Sequence, residues 1–236
     1  MEKNYNDINI QDGSEEDLDL IGENHMATSK ETPIRKDAFN LTDKEKIEKI
    51  ERLYTEIMTT LGLDLNDDSL RGTPKRVAKM FVNELFNGIN PETAPKPSTF
   101  TNKYGYTEML VEKNITVYST CEHHFLPIVG KAHVAYFSNG KVIGLSKMNR
   151  IVDHYARRPQ VQERMTMQIV KHLQEVLDTE DVACIIDAKH LCVNARGIRD
   201  IQSSTVTAEY GGKFKEKSVR KEFLDFINLE LGKENL

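Results

Sequence analysis

The hydrophobic pattern of this chain changes period once, and that change limits the folds available to it. Up to Leu85 the apolar residues recur at helical spacing, whereas from Met109 they alternate with polar residues, as in a strand. Two further helical patterns, at 148–155 and 161–176, then separate the strand-like segments. This order predicts the α+β class, with a small antiparallel sheet and helices on one face.

Several local signals place the individual elements. Thr42 and Glu45 form a capping box ahead of the first helix, and Thr73 as N-cap with Pro74 at the first helical position begins the second. Asn139-Gly140 is a strong hairpin signal. The alternating segments predict strands at 115–120, 131–138, 141–146, 182–187, 190–195 and 204–210, followed by a C-terminal helix at 219–227.

The first part of the chain differs in composition from the rest. Residues 1–36 carry nine acidic and four basic residues, which accounts for the whole net charge of −5. We therefore predict a disordered acidic tail at 1–38, an N-terminal helical region at 39–100 and the α+β domain with its C-terminal helix at 101–236. Because the remainder has no basic excess, we expect no nucleic-acid partner.

Composition also bears on compartment. No apolar run approaches the roughly 20 residues of a membrane-spanning helix, and the polar N-terminus does not resemble a targeting peptide. We expect a cytoplasmic protein with no membrane partner. Three cysteines, an odd and sparse number, argue against a disulfide framework.

The densest group of chemically active residues begins at Cys121. His124 follows three residues later, so both side chains can face one metal ion from a tight turn, and Cys192 is a third candidate ligand. His190 lies two residues from Cys192 in a predicted strand, which would put both on one face. Two thiolates and one imidazole suit zinc, and three protein ligands leave a position for water, as in catalytic sites.

Other interpretations of these residues stay open at this level. A structural zinc normally has four protein ligands, and Cys184, His123 or His190 could be the fourth. Cys184 stands in an apolar strand and is better explained as core packing.

Charged residues form two further groups. Glu163 stands at a helix start, where a carboxylate is often merely favourable with the helix dipole; it could instead accept the paired N–H donors of a guanine. Ser146 and Lys147 also begin a helix, a position suited to phosphate. Arg150 and Arg196 are further cations near short loops; singly, each could be solvated surface.

Four motifs occur together in a fixed order, and they resemble the GTP cyclohydrolase I family from about Thr42 to the C-terminal helix. They are Cys-Glu-His-His-Phe-Leu-Pro at 121–127, Gly-Leu-Ser-Lys at 144–147, Arg-Pro-Gln-Val-Gln-Glu-Arg at 158–164 and His-Leu-Cys at 190–192. The segment 73–80 is also similar to the family's N-terminal helix.

The resemblance implies a role for each candidate residue. Zinc would be bound by Cys121, His124 and Cys192, and would activate the water that attacks C8 of GTP. Protons would be handled by His123 and His190, with His190 acting at N7. The nucleotide would be bound through the following residues: Glu163 and Gln162 at the guanine, Ser146, Lys147, Arg150 and Arg196 at the triphosphate, and Lys79 from a neighbouring subunit.

The resemblance also implies a product, a fold and an assembly. Formate and 7,8-dihydroneopterin triphosphate would be released, as the first step of folate or pterin synthesis. The family has the tunnelling fold, a four-stranded antiparallel sheet with helices packed on it. Two rings of five subunits make a homodecamer with active sites between subunits. Two alternatives are a non-catalytic relative that binds purine and zinc, and a nitrile reductase of the same fold.

Overall fold

The computed structural model describes residues 29–96 and 98–229. Most of the predicted acidic tail, residues 1–28, therefore lies outside the described residues, as does 230–236. Residues 29–38 form no helix or strand. The predicted domain boundaries at 38 and 100 stay predictions.

The N-terminal region contains the two predicted helices. Helix α1 (Asp43–Thr60) has the expected capping box: the Thr42 amide donates to the Glu45 carboxylate at 2.8 Å, and the Glu45 amide donates to Thr42 Oγ1 at 3.3 Å. Helix α2 (Thr73–Met80) has Pro74 in its first turn, but its N-cap is Gly72, one residue earlier than predicted.

The rest of the chain forms the predicted mixture of strands and helices. Its elements are β1 (Thr99–Thr101), β2 (Leu110–Cys121), β3 (Pro127–Tyr136), β4 (Lys141–Ile143), α3 (Leu145–Ala156), β5 (Pro159–Gln160), α4 (Gln162–Leu177), β6 (Val182–His190), α5 (Leu191–Asn194), β7 (Thr205–Tyr210) and α6 (Lys217–Asn228). Among the described residues, no helix combines the length and apolar character needed to cross a membrane.

The main sheet has the strand order β5-β2-β3-β6-β7. Its four longer strands are antiparallel, as predicted, and the two-residue β5 adds a short parallel edge beside β2. The sheet is thus the antiparallel core of an α+β domain, and the predicted fold class is confirmed.

Helices α3 and α4 cover one face of the sheet and enclose the main core. That core includes fully buried side chains from both layers, among them Val117, Ile186, Met148 and Leu173. Cys184 is also fully buried there, which confirms its interpretation as core packing.

Helix α6 lies on the opposite face of the sheet from α3 and α4, at one end. Phe214 and Phe223 pack there against Ala135, Ala183 and Ile185. Because alternate residues of a strand point to opposite faces, these three residues lie across the sheet from their core-facing neighbours.

The predicted hairpin at Asn139-Gly140 is wrong. The chain does turn there, with Gly140 at φ +82°, but β4 pairs with β1 in a separate two-stranded sheet rather than with β3. The physical reason is that both edges of β3 are already occupied, by β2 and by β6.

The predicted strand at 190–195 is also wrong. Strand β6 ends at His190, and residues 191–194 form the short helix α5. His190 pairs with Ile128, one residue from the start of β3, so beyond His190 almost no partner strand remains. The premise that His190 and Cys192 share a strand face therefore fails.

Gly130 lets β3 and β6 approach closely. A Cβ atom at this position would overlap the Asp187 carbonyl oxygen and lie 2.5 Å from Ala188 Cα. Both contacts are backbone atoms, which cannot move without displacing β6, the strand that carries His190.

We expect Gly130→Ala to destabilise the fold by about 1–3 kcal/mol, because overpacking at this site strains the strand pairing. Thermal or denaturant unfolding measures the effect. Gly144→Ser is a matched control, since its Cβ would meet nothing nearer than Lys147 Cγ at 3.9 Å and serine is a good N-cap. Equal stability of the two variants would contradict this account of the β3–β6 contact.

Candidate active site

Two distant segments of the chain meet at one end of the main sheet. Strand β2 ends at Cys121, the chain turns through 122–126 into β3, and β6 ends at His190 opposite Ile128. Because β3 pairs antiparallel with both neighbours, the C-terminal ends of β2 and β6 lie at the same end of the sheet. The residues after β6 therefore lie beside the 121–127 motif.

The turn after β2 folds back on itself. The Phe125 amide donates to the Cys121 carbonyl at 2.9 Å, and the Cys121 amide donates to the Leu126 carbonyl at 2.8 Å. Phe125 has φ +54°, a left-handed conformation that reverses the chain. His124 is thereby held near Cys121.

Cys121, His124 and Cys192 form a group of possible metal ligands. One side-chain donor atom from each, two sulfurs and an imidazole nitrogen, lies within 4.8 Å of the others. Among the described residues, this is the one group of three or more such ligands that could share an ion. The donor set fits zinc, and a fourth position is left for another ligand.

Cys192 and Cys184 lie in different surroundings, and only Cys192 is placed to bind the ion. Burial, together with the neighbouring Cys121 thiol, raises the pKa of Cys192 to about 11, so an ion bound by this sulfur must displace its proton. Cys184 lies six residues before His190 in β6, about 20 Å along the strand, and cannot be the fourth ligand of a structural site.

A pocket of about 510 Å³ opens beside this group. Its wall combines Cys121, His123, Cys192 and His190 with the start of α4, which contributes Gln162, Glu163 and Arg164. Helix α4 thus supplies an exposed carboxylate, Glu163, to the same pocket as the possible metal ligands.

His190 is held by a buried amide. Its Nε2 lies 2.8 Å from Oε1 of Gln162, a residue that is only 1% exposed. Burial lowers the pKa of His190, and the negative charge of Glu163 opposes part of that shift.

The two motifs are also joined by an ion pair. Arg164 is 2% exposed, and its guanidinium contacts both oxygens of Glu122, at 2.5 and 3.1 Å. Glu122 Oε1 lies 4.0 Å from Nε2 of His123, whose Nδ1 is 3.7 Å from Cys121 Sγ. The bidentate pair therefore fixes the start of α4 against the turn that carries His123.

Comparison with known proteins identifies the family of this arrangement. Residues 50–228 match the model of the family described as GTP cyclohydrolase I. The chain belongs to the GTP cyclohydrolase I family. The tunnelling fold expected from the resemblance follows from this membership, and the protein is an enzyme of this family.

Curated relatives agree over nearly the whole chain. A GTP cyclohydrolase 1 of Flavobacterium johnsoniae is 66% identical over 217 residues, covering 92% of this chain and 97% of the relative. A GTP cyclohydrolase 1 of Aeromonas salmonicida is 54% identical over 82% of this chain and 88% of its own length. A third, from Vibrio parahaemolyticus, is 51% identical over 90% and 97%.

The remaining predicted site residues lie elsewhere in the chain. Ser146, Lys147 and Arg150 are on the first turns of α3, whose opposite end leads into β5 beside Cys121. Twelve helical residues span about 18 Å. Lys79 is exposed on α2, and neither it nor the three α3 residues line the pocket.

Arg196 lies closer to the candidate metal ligands. It is exposed, and its charge opposes the rise in the pKa of Cys192.

Several residues in or beside the site were not predicted from the sequence. Arg164 and Glu122 stood inside the quoted motifs but were given no role, although an arginine between core positions of a helix signals a buried partner. Ser29 also lines the pocket, and its carbonyl accepts from Arg164 Nε at 2.8 Å. No sequence signal pointed to Ser29.

Cys192→Ala should remove the bound metal, because two ligands no longer suffice for tight binding. Cys184→Ala is the matched control and should retain the metal, since that thiol is fully buried in the core. Metal per subunit, measured by inductively coupled plasma mass spectrometry after gel filtration, compares them. Full metal content in the Cys192 variant would exclude the three-ligand site.

Proposed function

We propose that the protein opens the imidazole ring of GTP at C8, releasing formate and giving 7,8-dihydroneopterin triphosphate. The observation that carries this proposal is that Cys121 and Cys192, which form a possible metal site with His124, line one pocket together with His190 and Glu163. Membership of the GTP cyclohydrolase I family supports the same reaction.

The three ligands would hold zinc. When bound, zinc supplies Lewis-acid activation of water at neutral pH. The protein's own contribution is to converge two sulfurs and an imidazole from segments 71 residues apart in sequence, Cys121 to Cys192, while leaving one side open to the pocket.

His190 and His123 would transfer protons around the ring. His190 borders the pocket and is anchored at one nitrogen, so it is suited to delivering a proton to N7 as the ring opens. The His123 ring has the Cys121 sulfur near one nitrogen and the Glu122 carboxylate near the other. It would act on the side of C8 from which water attacks.

Glu163 would recognise the guanine. Its carboxylate is exposed at the pocket wall and makes no hydrogen bond to any other described residue. Both oxygens are therefore available to N1–H and the 2-amino group, a paired donor edge that a carboxylate accepts in bidentate fashion. A predicted direct contact of Gln162 with the guanine stays a prediction.

The triphosphate would be bound by Ser146, Lys147, Arg150 and Lys79. Arg196 would contact it from the side on which the metal is held. The start of α3 is remote from the pocket of its own chain. Ile143, two residues before α3, donates its amide to the hydroxyl of Tyr136. Along β3, Tyr136 is eight residue pairs away from the pair that contains His190. Eight steps span about 27 Å, so these cations would serve a neighbouring subunit's pocket.

Exposed surfaces support such an assembly. Among the described strands, β7 pairs on one edge only, and an open edge can continue a sheet into another copy. Tyr118 and Val206, on the sheet face away from α3 and α4, are 66% and 62% exposed, and Leu53 and Leu61 of α1 are 59% and 72% exposed. A decamer of two five-membered rings would bury these groups.

Incubation of the zinc-loaded protein with GTP tests the reaction. We expect equimolar formate and, after oxidation, fluorescent neopterin triphosphate. Chelation should abolish both products and zinc should restore them, because the water must be activated. Protein that binds zinc and GTP but yields no formate would contradict the proposal.

Mixing two inactive variants tests the shared site. His190→Ala removes the proton-transfer group at the metal end of the site, and Lys147→Ala removes a cation from the triphosphate end. If each site combines two subunits, random equal mixing should leave about one quarter of the sites intact. Formate release after dissociation and reassociation measures the recovery.

The control mixes His190→Ala with Cys192→Ala, whose defects both lie at the metal end of the site. This mixture should recover no activity. Native mass spectrometry confirms that subunits have exchanged. Mixed oligomers of the first pair with no recovered activity would show that each site belongs to a single chain.

A further inference from the structure

The side-chain amide of Gln162 is fully engaged inside the protein. Its Nε2 lies 3.0 Å from the Ile186 carbonyl oxygen and 2.8 Å from the Thr205 carbonyl oxygen. Its Oε1 lies 2.8 Å from His190 Nε2. Since Gln162 is 1% exposed, this amide has little surface for a direct contact with the nucleotide.

The partners of Gln162 decide which way the amide faces. Carbonyl oxygens only accept hydrogen bonds, so the group pointing at Ile186 and Thr205 must be the NH₂. Reversing the amide would set its oxygen against two carbonyl oxygens and leave a buried polar cluster unsatisfied. Oε1 is therefore fixed towards His190.

This orientation decides the tautomer of His190. An amide oxygen can only accept, so the His190 nitrogen facing it, Nε2, must carry hydrogen. In the neutral ring the other nitrogen, Nδ1, then carries the lone pair. No hydrogen bond to Nδ1 is found among the described residues, and the ring borders the pocket.

We propose that Gln162 is a positioning residue, which holds His190 as the Nε2–H tautomer and leaves Nδ1 as the nitrogen that accepts a proton from the attacking water and passes it to N7 of the nucleotide. The proposal rests on the proposed function, because it takes His190 as the proton-transfer residue. It replaces guanine contact by Gln162 with an indirect role.

The same amide also ties three elements together. Gln162 is the first residue of α4, Ile186 lies in β6, and Thr205 begins β7. Gln162 therefore fixes the position of α4, which carries Glu163, relative to β6, which carries His190. A change at Gln162 should misalign the proton-transfer group without removing a nucleotide contact.

The tautomer can be observed without turnover. Protein labelled with ¹⁵N-histidine and loaded with zinc is sedimented, and its ring nitrogens are recorded by solid-state NMR at mildly alkaline pH. The His190 signals are assigned by their loss in His190→Gln. We expect a protonated Nε2 and an unprotonated Nδ1 in the native protein; a protonated Nδ1 would overturn the proposal, whatever any variant does.

Variants then test the cause. Gln162→Met removes the acceptor, so the two ring nitrogens should move towards a tautomer mixture. Thr207→Val is the matched control: it deletes the 3.1 Å contact to Gln162 Nε2 but not the bond to His190. An unchanged tautomer in a folded Gln162→Met variant would overturn the proposal.

Kinetics separate positioning from direct binding. We expect Gln162→Met to lower kcat about 10- to 100-fold, as loss of an orienting partner does, with little change in KM for GTP. A raised KM at unchanged kcat would instead assign Gln162 to the guanine. Inactivity of the native protein with the expected tautomer would refute the proposed function and leave the Gln162–His190 geometry standing.

Discussion

The site depends first on the pairing of β3 with both β2 and β6. Cys121 ends β2 and His190 ends β6, so the register of β3 against these two neighbours sets how closely the 121–124 turn and the residues after β6 approach. Gly130 allows that pairing at close backbone distance. A shift of β6 by one residue would turn His190 to the other face of the sheet, away from α4 and the pocket.

Buried polar contacts then hold α4 against this end of the sheet. Arg164 binds Glu122 of the ligand-bearing turn, and Gln162 binds His190 and the backbone of β6 and β7. Buried charges and amides of this kind must be fully partnered to be tolerated. They therefore hold the candidate metal ligands, His190 and Glu163 in one mutual geometry, while Ser146, Lys147 and Arg150 lie at the far end of α3.

Local patterns predicted much of the fold and part of the site. The change of period gave the α+β class, and the Thr42–Glu45 capping box was confirmed, because both depend on neighbours in sequence. The hairpin and the strand at 190–195 were wrong because strand partners are chosen by the whole sheet: β3 was already paired on both edges, and β6 had almost no partner beyond His190. The roles of Gln162 and Arg164 depend on contacts between residues 24 to 135 positions apart in the chain, which no local spacing encodes.

The central claim is that each site joins the metal and guanine end of one subunit to the cations of another. The most direct test is a structure of the zinc-loaded His190→Ala variant with GTP bound but not turned over. The account predicts anomalous scattering from zinc between Cys121, His124 and Cys192, guanine on Glu163 of the same subunit, and triphosphate on Ser146 and Lys147 of a neighbour. A nucleotide held entirely by one chain, or guanine away from Glu163, would contradict it.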